Sequence, residues 1–169
     1  TATDRDPQVA GKPAPALMAD ALSRGDFRTP LVVGDRLDTD IAGANAAQLP
    51  SLMVLCGVNT AADAIWAAPQ ERPDYIGEDL RALTADAGAL RVAPHPGWRV
   101  DLEEGVVTVR STGDDPGDAL AVVRAIAAAV WAADDDRRSS IIRAGDDDAR
   151  QAVERWSLVA AAGGEGALA

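Results

Sequence analysis

A single lysine and two aspartates carry the chemistry that this chain's residue types and spacing allow. Lys12 sits in Gly11-Lys12-Pro13 and is the only lysine among 16 formally basic side chains. The loop Gly34-Asp35-Arg36-Leu37-Asp38-Thr39-Asp40 comes directly after the apolar run Leu31-Val32-Val33. A compact ammonium neutralises phosphoryl oxygens, and a carboxylate at a strand tip holds a hard divalent cation through oxygen. Phosphate-plus-metal chemistry is therefore the reading to test. Each part alone is weak. Gly-Lys-Pro is also an ordinary surface turn, and Asp40 also suits a helix N-terminus, an effect worth about 0.3–1 kcal/mol. That simpler reading covers Asp40 but leaves Asp35 and Gly34 without a reason.

Short apolar runs alternating with helical stretches position these residues. A helix over roughly residues 15–23 is expected from Leu17, Met18, Ala21 and Leu22 at helical spacing, with Pro15 near its first turn. Leu31–Val33 is expected as a buried strand between Pro30 and Gly34, followed by a helix capped near Thr39. Leu52–Leu55 predicts a second strand, Asn59 and Thr60 a third helix start, and Tyr75-Ile76 a short third strand before residues 79–85. Strands alternating with helices predict an α/β fold with a parallel sheet covered on both faces. In such sheets functional groups gather beyond the carboxyl ends of the strands, where Asp35 falls.

Composition narrows the function classes. The 169 residues fit one domain or two small ones, and the hydrophobic share of 47% is enough for a core. A net charge of −11 argues against a nucleic-acid or anionic-membrane surface. The clusters Asp114-Asp115, Asp134–Asp136 and Asp146–Asp148 are expected as solvated loops and helix starts. Cys56, the sole cysteine, excludes an internal disulfide and is expected as a buried core thiol in Leu52–Cys56. His95, the sole histidine, lies in Pro94-His95-Pro96-Gly97 and is expected at the surface. No signal-peptide pattern and no apolar run of spanning length is present, which fits a cytoplasmic protein. The first residue is Thr, and residues 1–8 read as a polar lead-in, so the chain is expected to begin partway through a longer protein.

The pattern changes after Gly88. Trp98–Leu102 alternates apolar with polar, Glu103-Glu104-Gly105 turns the chain, and Val106–Val109 completes a hairpin signal. Helices are expected over residues 118–133 and 146–161, the latter with Val153, Trp156 and Val159 on one stripe. The expected division is residues 1–87 as one unit and residues 88–169 as a small appended α+β unit.

The segments Val9-Ala10-Gly11-Lys12-Pro13-Ala14-Pro15 and Leu31 through Ala44 together resemble the third and fourth motifs of haloacid-dehalogenase-superfamily phosphatases. The resemblance is to the large-cap branch, which includes phosphoglycolate, glycerol-phosphate and p-nitrophenyl phosphatases. Within it the chain is most similar to actinobacterial glycerol 3-phosphate phosphatases. Cys56–Thr60 and Pro73–Ile76 also match how that core closes, so the likeness covers about residues 5–83. It implies the C-terminal half of a Rossmann-like core and Mg²⁺-dependent hydrolysis of a small phosphorylated metabolite through an aspartyl-phosphate. Lys12 would bind the phosphoryl group, Asp35 would ligate Mg²⁺, and Asp40 would support the metal's water shell. Arg36 and Asp38 would shape the loop.

One departure matters. The family's nucleophile is the first Asp of Asp-x-Asp-Gly-Thr after an apolar strand, and no such segment is present. Asp38-Thr39-Asp40 sits four residues past its strand, and Asp4-Arg5-Asp6 has no strand before it. The nucleophile and cap are therefore expected on an upstream segment. For residues 88–169 the hairpin with helices suggests an acetyltransferase-like remnant, although no pyrophosphate loop of Arg/Gln-x-x-Gly-x-Gly type is evident. Packing, homo-oligomerisation and regulation stay open for that unit. A non-catalytic regulatory or interaction role stays open for the whole chain.

Overall fold

The computed structural model describes residues 11–133 and 140–159. Helix α1 (Ala16–Ser23) leads into strand β1 (Val32–Gly34). A π-helical turn (Leu37–Ile41) continues into α2 (Ala42–Ala46), followed by β2 (Ser51–Val54), α3 (Ala61–Ile65) and β3 (Tyr75–Gly77). These three strands form a parallel sheet in the order β1-β2-β3, with Val33 opposite Leu52 and Met53 opposite Ile76. Every residue of β2 is buried, as expected of a central parallel strand covered on both faces. The expected βαβ alternation is present.

A 3₁₀ turn (Leu80–Thr84) and a short helix α4 (Ala87–Leu90) close this region. A second sheet follows, with β4 (Trp98–Glu103) antiparallel to β5 (Val106–Ser111) and β5 parallel to β6 (Ile141–Ala144). Gly105 lies at φ +71° in the hairpin turn, a conformation that favours glycine. Helices α5 (Ala121–Ala132) and α6 (Asp147–Glu154) complete the described chain.

The two sheets share one continuous core. Met53, Ile65 and Ile76 of the first region pack in the same buried cluster as Val107, Val109 and Ile126 of the second. Side-chain hydrogen bonds cross between the regions, among them Arg124 to the Ile76 carbonyl (2.9 Å), Trp131 to the Ile65 carbonyl (3.0 Å) and Arg72 to the Trp131 carbonyl (3.3 Å). Arg124 is itself buried and also pairs with Asp118.

Several sequence expectations need correction. Cys56 is exposed, because β2 ends at Val54 and the chain turns before the thiol. Helix α1 has no buried residue; Met18 and Leu22 are half-buried, with Met18 next to Gly43 of α2. Thr39 is not a helix cap: the amides of Asp40 and Ile41 both donate to the Arg36 carbonyl, so the helical turn starts at Leu37, with extended Arg36 before it. Helix α5 starts at Ala121 because the Asp118 side chain accepts from the Leu120 amide ahead of it. Helix α6 stops at Glu154, where the amides of Ser157 and Leu158 donate back to Glu154 and Val153 with Ser157 at φ 54°. Residues 160 and 161, included in that expected helix, lie outside the described residues, as does Asp134–Asp136.

Candidate active site

The turn carrying Lys12 is closed by the Ala14 amide donating to the Gly11 carbonyl (2.9 Å). It lies against α2, where Gly43 leaves Pro13 in ordinary contact. From there Lys12 Nζ reaches Asp40 Oδ1 at 2.5 Å, across 28 sequence positions. The Asp40 side chain is 10% exposed and that of Lys12 is 41% exposed. The ammonium is thus anchored on one side by a buried carboxylate and open to solvent on the other. The second Asp40 oxygen accepts from the Arg36 amide at 3.3 Å. Both oxygens of Asp40 are therefore committed within this chain.

Gly34 makes this arrangement sterically feasible. A Cβ there would lie 2.2 Å from Asp40 Cβ, closer than any real contact. The last residue of β1 must lack a side chain for Asp40 to fold back beneath the strand tip.

Asp35 sits one residue beyond and is half-buried; the ion pair of Lys12 is with Asp40 and not with Asp35. Its Oδ2 accepts from the Val58 amide at 3.0 Å, and its carbonyl accepts from the Asn59 amide at 3.1 Å. A Cβ on Gly57 would fall 1.9 Å from Asp35 Oδ2, so glycine is required there as well. Oδ1 of Asp35 accepts no hydrogen bond from the described residues. A half-buried carboxylate with one oxygen fixed by an amide and the other free is a donor set that fits a hard divalent cation. Among the described residues no group of three or more His, Cys, Asp or Glu side chains is placed to hold a metal ion together, so Asp35 is the carboxylate offered at this point.

Arg36 and Asp38 pair at 3.5 Å and both side chains are largely exposed, outside the Lys12–Asp40 contact. Asp38 occupies the π-helical turn, not a strand tip, and Asp4 and Asp6 lie outside the described residues. His95 is half-buried and accepts the Gly97 amide through Nδ1 at 3.2 Å. Sequence reasoning placed Asn59 only as a helix cap. The fold also brings it to the Asp35 loop, where its Oδ1 accepts from the Leu37 amide at 2.9 Å. The signal available was Gly57 two positions before it, a glycine after a strand where a neighbouring backbone comes close.

The lysine and carboxylate gathered past the carboxyl end of a parallel strand stand in a chain that is similar to HAD-like phosphatases. Residues 9–83 match the HAD-hydrolase-like family model, and residues 95–158 match a GCN5-related N-acetyltransferase-like domain. The chain is 60% identical over 167 residues to D-glycerol 3-phosphate phosphatase of Mycobacterium tuberculosis, covering 94% of this chain and 47% of that protein. It is 37% identical over 75 residues to phosphoglycolate phosphatase 2 of Arabidopsis thaliana, covering 43% of this chain and 25% of that one. Crystal structures of an M. tuberculosis glycerol phosphate phosphatase in complex with magnesium and with calcium superpose with TM-scores of 0.84 and 0.85. Both are 61% identical; they cover 92% and 93% of this chain and 46% and 47% of the solved chains. The chain thus spans about half the length of the M. tuberculosis phosphatase it matches. No helix among the described residues is long and apolar enough to cross a membrane.

Proposed function

We propose that this chain supplies the lysine and metal-carboxylate portion of a Mg²⁺-dependent phosphomonoester hydrolase acting on a small metabolite, with glycerol 3-phosphate the leading substrate. The observation that carries the reading is the Lys12–Asp40 pair standing beside Asp35 at the tip of β1. The 60% identity to a D-glycerol 3-phosphate phosphatase supports the substrate class, and the shorter match to a phosphoglycolate phosphatase makes a phosphoglycolate-like ester the second candidate.

In this reading Lys12 meets the phosphoryl oxygens through its exposed side, while Asp40 fixes the ammonium from below and spares it a search over rotamers. Asp35 would hold Mg²⁺ through its free oxygen, and the ion would neutralise charge building on the transferring phosphoryl group. The nucleophilic Asp, its aspartyl-phosphate and the cap that selects substrate belong to polypeptide outside these 169 residues. Residues 1–87 form the phosphatase portion and residues 88–169 an appended unit that packs on it. The compartment is the cytoplasm.

The test is phosphate release from glycerol 3-phosphate by the chain joined to an Asp-x-Asp-bearing partner segment. Lys12→Met and Asp35→Asn should each lower turnover by about 10²–10³-fold, the scale of losing one preorganised charge-stabilising group. Turnover near wild type in either variant contradicts the assignment.

A further inference from the structure

Asn59 touches the Asp35 loop at two points and the next helix at a third. Its backbone amide donates to the Asp35 carbonyl at 3.1 Å, and its Oδ1 accepts from the Leu37 amide at 2.9 Å. Its Nδ2 donates to Asp63 Oδ2 at 3.3 Å. Asp63 is held in turn by the Thr60 amide at 2.7 Å and the Thr60 hydroxyl at 2.9 Å, the capping box that opens α3. An ionised carboxylate only accepts, so Asp63 must face the amide nitrogen of Asn59 and thereby turns Oδ1 toward Leu37. Burial presses the Asp63 carboxyl upward, but the bonds from Thr60 and Asn59 outweigh it and hold the group below its ordinary range. It is therefore ionised, and the orientation of Asn59 is set.

We propose that Asn59 is the positioning residue for the metal-facing carboxylate, fixing the loop at the Asp35 carbonyl and again at Leu37 so that Oδ1 of Asp35 stays free and aimed. The proposal rests on the reading of Asp35 as a Mg²⁺ ligand. One bond falls on Asp35 itself and the other on Leu37. The Asn59 amide holds the Asp35 carbonyl, the Asn59 side chain holds Leu37 two residues on, and the neighbouring Val58 amide occupies Oδ2 of Asp35. Without the side chain, the Leu37 amide loses its acceptor, and the bonds left on the loop are those at Asp35 and at the Arg36 amide. Groups that orient a ligating carboxylate in this way typically contribute about 10–100-fold to metal affinity.

The experiment is a Mg²⁺ titration of the isotopically labelled chain, read from the amide resonances of Val58 and Asn59. Wild type should show a saturable shift that Asp35→Asn abolishes. Asn59→Ala should raise the apparent dissociation constant at least tenfold while the spectrum stays dispersed. Thr60→Ala removes the helix cap but keeps the bond from Leu37 to Asn59, and should bind Mg²⁺ within about twofold of wild type. Wild-type affinity in Asn59→Ala, with Asp35→Asn silent, overturns the role of Asn59 and leaves the metal reading standing. An equal loss in Thr60→Ala also overturns it, because general loosening of the loop would then suffice. No saturable shift in wild type removes the metal reading and this inference together.

Discussion

Lys12 and Asp40 are 28 positions apart in sequence and 2.5 Å apart in space, and the short distance depends on a residue with no side chain. Gly34 lets Asp40 lie under the strand tip. Gly34→Ala would place a methyl group 2.2 Å from Asp40 Cβ and 2.5 Å from its Cγ. The expected cost is about 1–3 kcal/mol, the usual price of overpacking, read by urea denaturation. The same variant should also uncouple Lys12, whose ammonium would lose its buried anchor. At this scale much was legible: the lone lysine, the strand-tip carboxylate and the glycine before it were all marked by type and spacing. Cys56 was not. Cys56 closes an apolar run that starts with the expected strand Leu52–Leu55 and so reads as core, but the backbone turns after Val54 and leaves the thiol outside. Nor was the exchange among Asn59, Leu37 and Asp35 visible, since a bond across 22 positions leaves no local pattern.

At the scale of elements, the α3 capping box links helix stability to the site loop. Asp63 accepts from the Thr60 amide and hydroxyl, and these bonds draw its carboxyl below the ordinary value against the upward pull of burial. A lowered folded value means the stabilisation is present above the unfolded value, about 4, and is lost as pH falls through the folded one. Asp63→Ala should therefore destabilise the protein by about 1 kcal/mol at pH 7, as loss of a cap does, and by less at pH 3. Unfolding free energies at the two pH values check this; an equal deficit at both would contradict it. Short apolar runs made β1 to β3 readable and alternation with a turn signal made the β4–β5 hairpin readable, because covered strands read as continuous apolar runs and half-buried ones repeat every two residues. Strand β6 was missed: Ile141–Ala144 is short, follows a run of charged residues, and acquires strand form only by pairing with β5.

For the whole molecule, the break after Gly88 is a change in pattern and not in packing. Ile76 and Met53 share a cluster with Val107 and Ile126, and buried Arg124 caps the Ile76 carbonyl from the other region. No sequence period announces such a contact, since Arg124 and Ile76 lie 48 positions apart and on different elements. A shared core predicts one cooperative transition. Urea unfolding followed by tryptophan fluorescence and by far-ultraviolet circular dichroism should coincide. Arg124→Met should lower stability by about 1–3 kcal/mol, because it leaves a buried carbonyl unpaired. Two separated transitions in the wild-type chain would show that the regions unfold independently.

The central claim is that Lys12 and Asp35 form part of a Mg²⁺-dependent phosphatase site. Its most direct test is hydrolysis of glycerol 3-phosphate by this chain supplied with the Asp-x-Asp-bearing segment, measured with Mg²⁺ and again after chelation. The account predicts phosphate release that requires both the added segment and the metal. Release that persists in chelator, or none when both are supplied, would contradict it.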